Sequence, residues 1–323
     1  MSGDRTPLAQ QVAGLHFQNP IVLAAGTAAY GRELAEVVDL AQLGGLVTKC
    51  VSPSPRAGAA APRVAEFRGG MINAVGLANP GVEDVRRDHL PWLAVALPRT
   101  RKLVNVVGFA VEEFAEVIAR LEQPADVGTA GLDAPGDAID GYELNVSCPN
   151  VKAGGMEFGA DAAALRDVVR RARAATRRPL FVKLSPALPD IAASARVAVE
   201  AGADALTLVN TLPGLVIDVE RRQPVLGFGT GGVSGSALVP VGVLATYRVH
   251  RAVRVPLLGI GGVTTVDDVL QYLMAGASLV GIGTAMLRDP RAPERIVREL
   301  AAWCDRHEVG HVAELTGTVR MPS

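Results

Sequence analysis

Short apolar runs recur along the chain at residues 21–25, 46–49, 103–107, 142–146, 180–184, 205–209, 257–260 and 279–282. Runs this short, bounded by turn-forming residues, suit strands buried on both faces. Apolar positions also return at a helical period over residues 33–43, 82–94, 111–121, 162–175, 191–201, 239–253, 266–275 and 293–307. Thr264, three residues before Asp267, predicts an N-cap with a carboxylate in the first turn. Strand and helix thus alternate eight times. That pattern predicts an α/β fold with a parallel sheet, and the count favours a closed (β/α)8 TIM barrel over an open, doubly wound sheet.

Polar residues interrupt the apolar runs at one end. Lys49, Asn105, Asn145 and Lys183 lie in the second to fifth runs, and Asn210 follows the sixth. Inside apolar strands such groups are costly unless paired or used, and in a barrel they converge on the C-terminal mouth. Gly261-Gly262 follow the seventh run and Gly283-Thr284 the eighth. Glycines there let backbone N–H groups approach a phosphate, although tight turns would also use them.

The stretch 141–155, GYELNVSCPNVKAGG, concentrates the chemistry. Pro149 cannot continue a buried ladder, so Cys148 sits just past the strand end. Most cysteines in a βα turn are packing residues. Here Asn145, Ser147 and Asn150 surround the thiol with neutral hydrogen-bonding groups, which suits proton transfer.

Two long insertions, 51–80 and 212–236, break the regular spacing, as functional loops do. Gly227-Phe-Gly229-Thr-Gly-Gly232 matches G-x-G-x-x-G but lacks the strand before it and the helix after it that a dinucleotide site needs. Residues 122–140 read as an exposed loop without a role. No linker or long-period repeat divides residues 1–323, so a single domain is expected.

Composition narrows the function. Apolar residues make up 49% of the chain, enough for a large core, and the net charge of −1 gives no basic excess for nucleic acid or an anionic membrane. The N-terminus carries no signal pattern, and no run of about 18 apolar residues occurs; a soluble, cytoplasmic protein is expected. Cys50, Cys148 and Cys304 are scattered, which argues against disulfides and against a zinc or iron–sulfur site in this chain. The histidines at 16, 89, 250, 307 and 311 fall outside every motif and read as surface or packing residues.

The segment Asn145-Val-Ser-Cys148-Pro-Asn150-Val-Lys-Ala-Gly-Gly155 resembles the catalytic segment of class 1 dihydroorotate dehydrogenases, and its continuation after Pro149 is most similar to the B type. The similarity runs from about Asn19 to Met286 and is most specific at residues 73–77 and 145–155, at Lys183-Leu-Ser-Pro186 and at Asn210-Thr211. It implies a (β/α)8 FMN enzyme that oxidises dihydroorotate to orotate in pyrimidine biosynthesis. By resemblance, Ala25, Thr48, Lys49, Asn105, Asn145, Lys183, Val209, Gly235, Gly261, Gly262, Gly283 and Thr284 contact FMN. Lys49, Asn73, Ala74, Val75, Gly76, Leu77, Asn145, Asn210 and Thr211 hold the substrate, Cys148 is the base, and no metal is implied. Asn amides suit a pyrimidine ring, Lys49 its carboxylate, and Lys183 the negative charge developing on the flavin. Cys50 stands where the family commonly has Ser or Thr, and Ala25 where Ser is common. A class 2 enzyme would carry Ser as base and an N-terminal apolar extension.

The B type also implies a homodimer joined to a subunit bearing FAD and an iron–sulfur cluster [2Fe–2S], which delivers electrons to NAD. The loop 229–235 is similar to that type as well. Alternatives are a fumarate-linked A-type enzyme, a dihydropyrimidine dehydrogenase-like barrel (which tends to carry His at the position of Asn150) and a non-catalytic flavin barrel.

Overall fold

The computed structural model describes residues 7–123, 138–147, 149–150 and 156–322. Eight parallel strands close into a barrel: β1 Ile21–Leu23, β2 Gly45–Val47, β3 Arg101–Val106, β4 Gly141–Asn145, β5 Leu180–Leu184, β6 Ala205–Leu208, β7 Leu257–Ile260 and β8 Leu279–Ile282. Successive strands are neighbours, and β8 returns to β1 with Val280 opposite Ile21. Closure selects the barrel over the open sheet. Each strand falls within two residues of the apolar run that predicts it.

Helices Val111–Leu121, Ala162–Ala175, Ile191–Glu200, Val239–Ala252, Val266–Ala275 and Ala292–Arg306 agree with the periodicity to within one residue. Their buried stripes, such as Phe114, Val117, Ile118 and Leu121, join the outward side chains of the strands in the main core. The helical stretch from Val82 to Ala96 contains a π-type turn over Val85–His89.

Two expectations fail locally. Residues 33–43 form turns and a short 3-10 helix, Leu40–Gln42, instead of an α-helix. Asp39 starts a new turn there, its Oδ1 accepting from Ala41 N, and too few side chains are buried to sustain a helix. The N-cap before Val266 is Thr265, not Thr264. Thr265 and Asp268 form a reciprocal capping box, while Thr264 adds two donors, its N and Oγ1, to Asp268 Oδ2.

The barrel's N-terminal end is sealed by a hairpin, Gln10–Val12 with Leu15–Phe17. Its Val12 and Phe17 pack inside with Val22, Leu103, Phe181, Ala205, Leu258 and Leu279. At the opposite end the two insertions meet. Val64–Phe67 and Gly70–Asn73 from the first pair with Gly231–Ser234 and Leu212–Gly214 from the second, making one antiparallel sheet. The glycine-rich 227–232 segment becomes a turn and a strand of that sheet, with Leu226 bridged to Gly229. Among the described residues no helix is long and apolar enough to cross a membrane.

Candidate active site

Side chains along a strand alternate between its two faces, so register fixes which polar residues share the interior. Asn105 lies opposite Glu143, and Lys183 lies opposite both Asn145 and Thr207. Asn105 Nδ2 donates to Glu143 Oε1 at 2.6 Å, and Thr207 Oγ1 donates to Glu143 Oε2 at 2.8 Å. Glu143 is on β4 and Thr207 on β6, so the second bond skips β5 and must cross the barrel interior. Thr48, following β2, joins the layer by accepting from Asn105 N at 3.2 Å.

Several groups in this layer are left open. Asn105 Oδ1 and Ser147 Oγ are buried with no partner among the described residues. Lys183 is buried, yet among the described residues its ammonium makes no hydrogen bond or ion pair. Asn145 Oδ1 accepts from Asn210 Nδ2 at 3.3 Å, a bond at the edge of normal geometry. Buried donors and acceptors are seldom abandoned in this way, so a polar ligand is the economical explanation.

The loops bring the other predicted substrate residues to the same end. Asn73 Nδ2 donates to Gly232 O at 3.1 Å, tying one insertion to the other. A Cβ on Gly232 would lie 2.1 Å from Thr211 Oγ1, so Thr211 packs directly against that strand. Cys50 Sγ, next to Lys49, reaches Leu77 O at 3.7 Å. Ala74 N donates to Arg63 O and Val75 O accepts from Ala59 N, while Gly76 sits against Ala59. Buried Asn79 anchors the loop: its Oδ1 accepts from Gly81 N and its Nδ2 donates to Ser52 Oγ, both at 2.8 Å.

The glycine pairs divide into two jobs. Gly259 and Gly281 serve packing, since a Cβ would lie 2.4 Å from the Tyr272 ring and 2.5 Å from Ile260 respectively. Tyr272 in turn donates to Gly261 O at 2.8 Å, fixing that turn, and its hydroxyl is pushed up in pKa by burial. Gly262 has φ +78° and Gly235 has φ +110°, and a Cβ on Gly262 would meet Gly235 O at 2.7 Å and Val239 N at 2.8 Å. Thr284 Oγ1 donates to Ser234 Oγ at 2.8 Å, bringing the end of β8 to the same place. Gly283 lies beside Ala24, with Ala25 next in the chain; Val209 is buried after β6. The ends of β1, β6, β7 and β8 and Gly235 thus share one rim.

The cysteines differ in what can be said of them. Cys148, the predicted base, lies outside the described residues, as do positions 151–155. Pro149–Asn150 pair with Met156–Glu157 just beyond it. Burial pushes the Cys50 thiol up to about 11, against a downward pull from Lys49, so Cys50 is a poor base at neutral pH. Cys304 is buried at the far end of the Ala292–Arg306 helix and is also raised by burial. Glu157 is half-buried and raised by burial, partly offset by a hydrogen bond from Ser185.

Glu143, Thr207, Ser234 and Asn79 escape the sequence reading. A signal for Glu143 exists: Tyr142 and Leu144 alternate with it in a strand predicted to be buried, so a carboxylate between them faces the interior. The ends of the 122–140 loop are not idle either. Glu122 accepts from Tyr142 and Thr176 hydroxyls, and Asp140 accepts from Arg101 Nη1 at 2.8 Å. Residues 124–137 lie outside the described residues.

The sequence profile of the dihydroorotate dehydrogenase family matches residues 7–303. A protein of Pelobacter propionicus named dihydroorotate dehydrogenase B (NAD(+)), catalytic subunit, is 44% identical over 95% of this chain and 97% of its own length. One of the same name from Desulforudis audaxviator is 45% identical over 95% of each. A protein of Solibacter usitatus named putative dihydroorotate dehydrogenase A (fumarate) is 44% identical over 97% of this chain and 98% of its own. The crystal structure of DHODH from Eimeria tenella superposes with a TM-score of 0.79 over 98% of this chain and 90% of that one; at 23% identity it speaks to the fold alone. With the profile spanning most of its length and relatives this similar end to end, the chain belongs to the dihydroorotate dehydrogenase family.

Proposed function

We propose that this chain oxidises (S)-dihydroorotate to orotate in pyrimidine biosynthesis, with FMN bound at the barrel mouth and Cys148 as the general base. The observation that carries the site assignment is the open polar layer. Lys183 and Asn105 Oδ1, which have no hydrogen-bond partner among the described residues, and the Asn145–Asn210 amides lie at one end of a closed barrel.

The residues present fit FMN. Gly235 and Gly262 form a cradle that any side chain would fill, beside Thr284 and the start of the Val239–Ala252 helix, which suits a phosphate. Asn105 Oδ1 offers an unused acceptor to a ring N–H. FMN, when bound, supplies the hydride acceptor. The twelve residues named by resemblance as its contacts lie just past the strand ends and at Gly235, apart from Asn105, Asn145 and Lys183, which lie within β3, β4 and β5.

The chain's own residues do the rest. Lys49 meets the substrate carboxylate, and Asn73–Leu77, Asn210 and Thr211 close over the ring. Asn145 and Asn210 match its alternating donors and acceptors without adding charge. Cys148 takes the proton from the ring carbon beside the one that loses hydride. Lys183 would offer its ammonium to the part of the bound flavin that gains negative charge.

Electrons pass to NAD through a partner subunit carrying FAD and [2Fe–2S], docked on a homodimer of this chain in the cytoplasm, all of residues 1–323 forming one FMN barrel. Leu215, Ile217, Val219 and Phe228 of the second insertion are exposed apolar residues, which supports association there. The fumarate-named relative of equal identity favours a second reading, an A-type acceptor.

Anaerobic dihydroorotate should bleach the flavin absorption of the purified chain. In stopped flow, Cys148→Ala should slow that bleaching about 10²–10⁴-fold at neutral pH while FMN stays bound; wild-type rates would remove Cys148 from the reaction. The chain alone should reduce artificial acceptors but not NAD. Saturable fumarate turnover would instead select the second reading.

A further inference from the structure

Glu143 has no part in the reaction as described, yet it is the only described carboxylate whose side chain lies in the polar layer of the barrel, and it is fully buried. Both of its oxygens accept, one from Asn105 Nδ2 at 2.6 Å and one from Thr207 Oγ1 at 2.8 Å. An amide has a donor end and an acceptor end of nearly the same shape, so something must decide which end faces the ligand. A carboxylate on one side of Asn105 settles it: the nitrogen turns toward Glu143, and the oxygen is left buried without a partner among the described residues.

We propose that Glu143 is a positioning residue that fixes the polarity of the Asn105 amide, so that the cofactor meets a hydrogen-bond acceptor there and not a donor. Thr207 anchors the other carboxylate oxygen from two strands away, which prevents Glu143 from rotating out of the role. The site thereby selects a ring edge that offers an N–H, as the pyrimidine part of an isoalloxazine does. The inference rests on the FMN reading.

The test exchanges the two groups. In Asn105→Asp two carboxylates face each other in a buried layer, and FMN affinity of the apo-protein, followed by flavin fluorescence, should fall at least about a hundredfold. In the double variant Asn105→Asp with Glu143→Gln the hydrogen bond reverses. The new amide at position 143 donates to the new carboxylate at position 105 and accepts from Thr207, and an acceptor oxygen is again left toward the cofactor. Volume and net charge are those of the wild type, so affinity should return to within about tenfold. In Glu143→Gln alone the amide at position 143 can present either end to Asn105, so the polarity is no longer forced and FMN affinity should fall, though less than in Asn105→Asp.

A folded double variant with no recovery would overturn the proposal, as would an Asn105→Asp protein of wild-type affinity. An unfolded double variant would also count against it, because every hydrogen bond of the proposed network survives the exchange. A wild-type protein that takes up no FMN would instead sink the cofactor reading itself.

Discussion

The two ends of the barrel interior are built from the same strands and do opposite things. On β3, Leu103 lies below and Asn105 two residues above; on β5, Phe181 and Lys183; on β6, Ala205 and Thr207. One step of the strand's inward alternation changes an apolar plug into a polar layer. The lower end is closed by Val12 and Phe17, whose side chains pack into the apolar layer. The upper end keeps Asn105 Oδ1 and Ser147 Oγ buried without partners among the described residues. Stability is concentrated where contacts are complete, and ligand affinity where they are not.

The largest effect should come from filling the upper end. Gly262→Glu places a side chain where even a Cβ lies within 3 Å of Gly235 O and Val239 N, and adds a carboxylate to the site proposed for the FMN phosphate. FMN retention should be abolished, a loss of more than about a thousandfold in affinity. A yellow, fully occupied Gly262→Glu protein would show that the phosphate lies elsewhere. Phe17→Ala at the lower end should do the reverse, costing about 3–5 kcal/mol of stability. The FMN affinity of the molecules that remain folded should stay unchanged. If denaturant unfolding showed no loss, or if FMN affinity fell in parallel, the two ends would not be separable.

Most of the scaffold is legible in the sequence because it is periodic. Strands such as 180–184 and helices such as 162–175 carry their period within a few residues, and each is bounded by turn residues. Residues 33–43 carry the period too, but Asp39 offers the backbone a competing turn and wins. The mouth sheet cannot be read in this way. Gly232 and Asn73 pair across 159 positions in strands too short and too glycine-rich to show alternation. The site is legible where residue type is anomalous, as with Lys183 in an apolar strand. Thr207 gives no such signal, since threonine is at home in a sheet. Glu143 does give one, and only its position on the strand reveals what it faces.

Polar residues at the upper end are not all open, and Cys50 marks the boundary. Its thiol is pushed up from 9.0 to about 11 by burial. Below pH 9 the thiol is protonated in both the folded and the unfolded chain, so its contribution to stability is fully present. As pH rises the unfolded chain releases the proton first, and that contribution is lost progressively until the folded pKa is passed. The gap corresponds to on the order of 2–3 kcal/mol between about pH 9 and 11. Cys50→Ser should therefore lose less stability than the wild type between about pH 8.5 and 10.5, by chemical denaturation. Equal slopes would mean that the thiol is not sealed, and would move Cys50 from the packed group to the open one.

The smallest expected effect separates structure from function within the rim itself. Thr265 lies three residues beyond Gly262, at the start of the helix that follows β7, and its position alone would suit a phosphate contact. Its hydroxyl is already committed: Thr265 Oγ1 accepts from Asp268 N at 3.3 Å and donates to Asp268 Oδ2 at 3.0 Å. Asp268 Oδ2 also accepts from the backbone N–H groups of Thr264 and Thr265. These bonds satisfy helix-end donors that would otherwise be orphaned, so the pair stabilises the first turn and leaves nothing for a ligand. Thr265→Ala should lower stability by about 1 kcal/mol, the usual loss for an N-cap. FMN affinity and the rate of flavin bleaching should remain those of the wild type. A variant that kept its stability but lost FMN would place Thr265 in the ligand site and join the capped helix to the open cradle beside it.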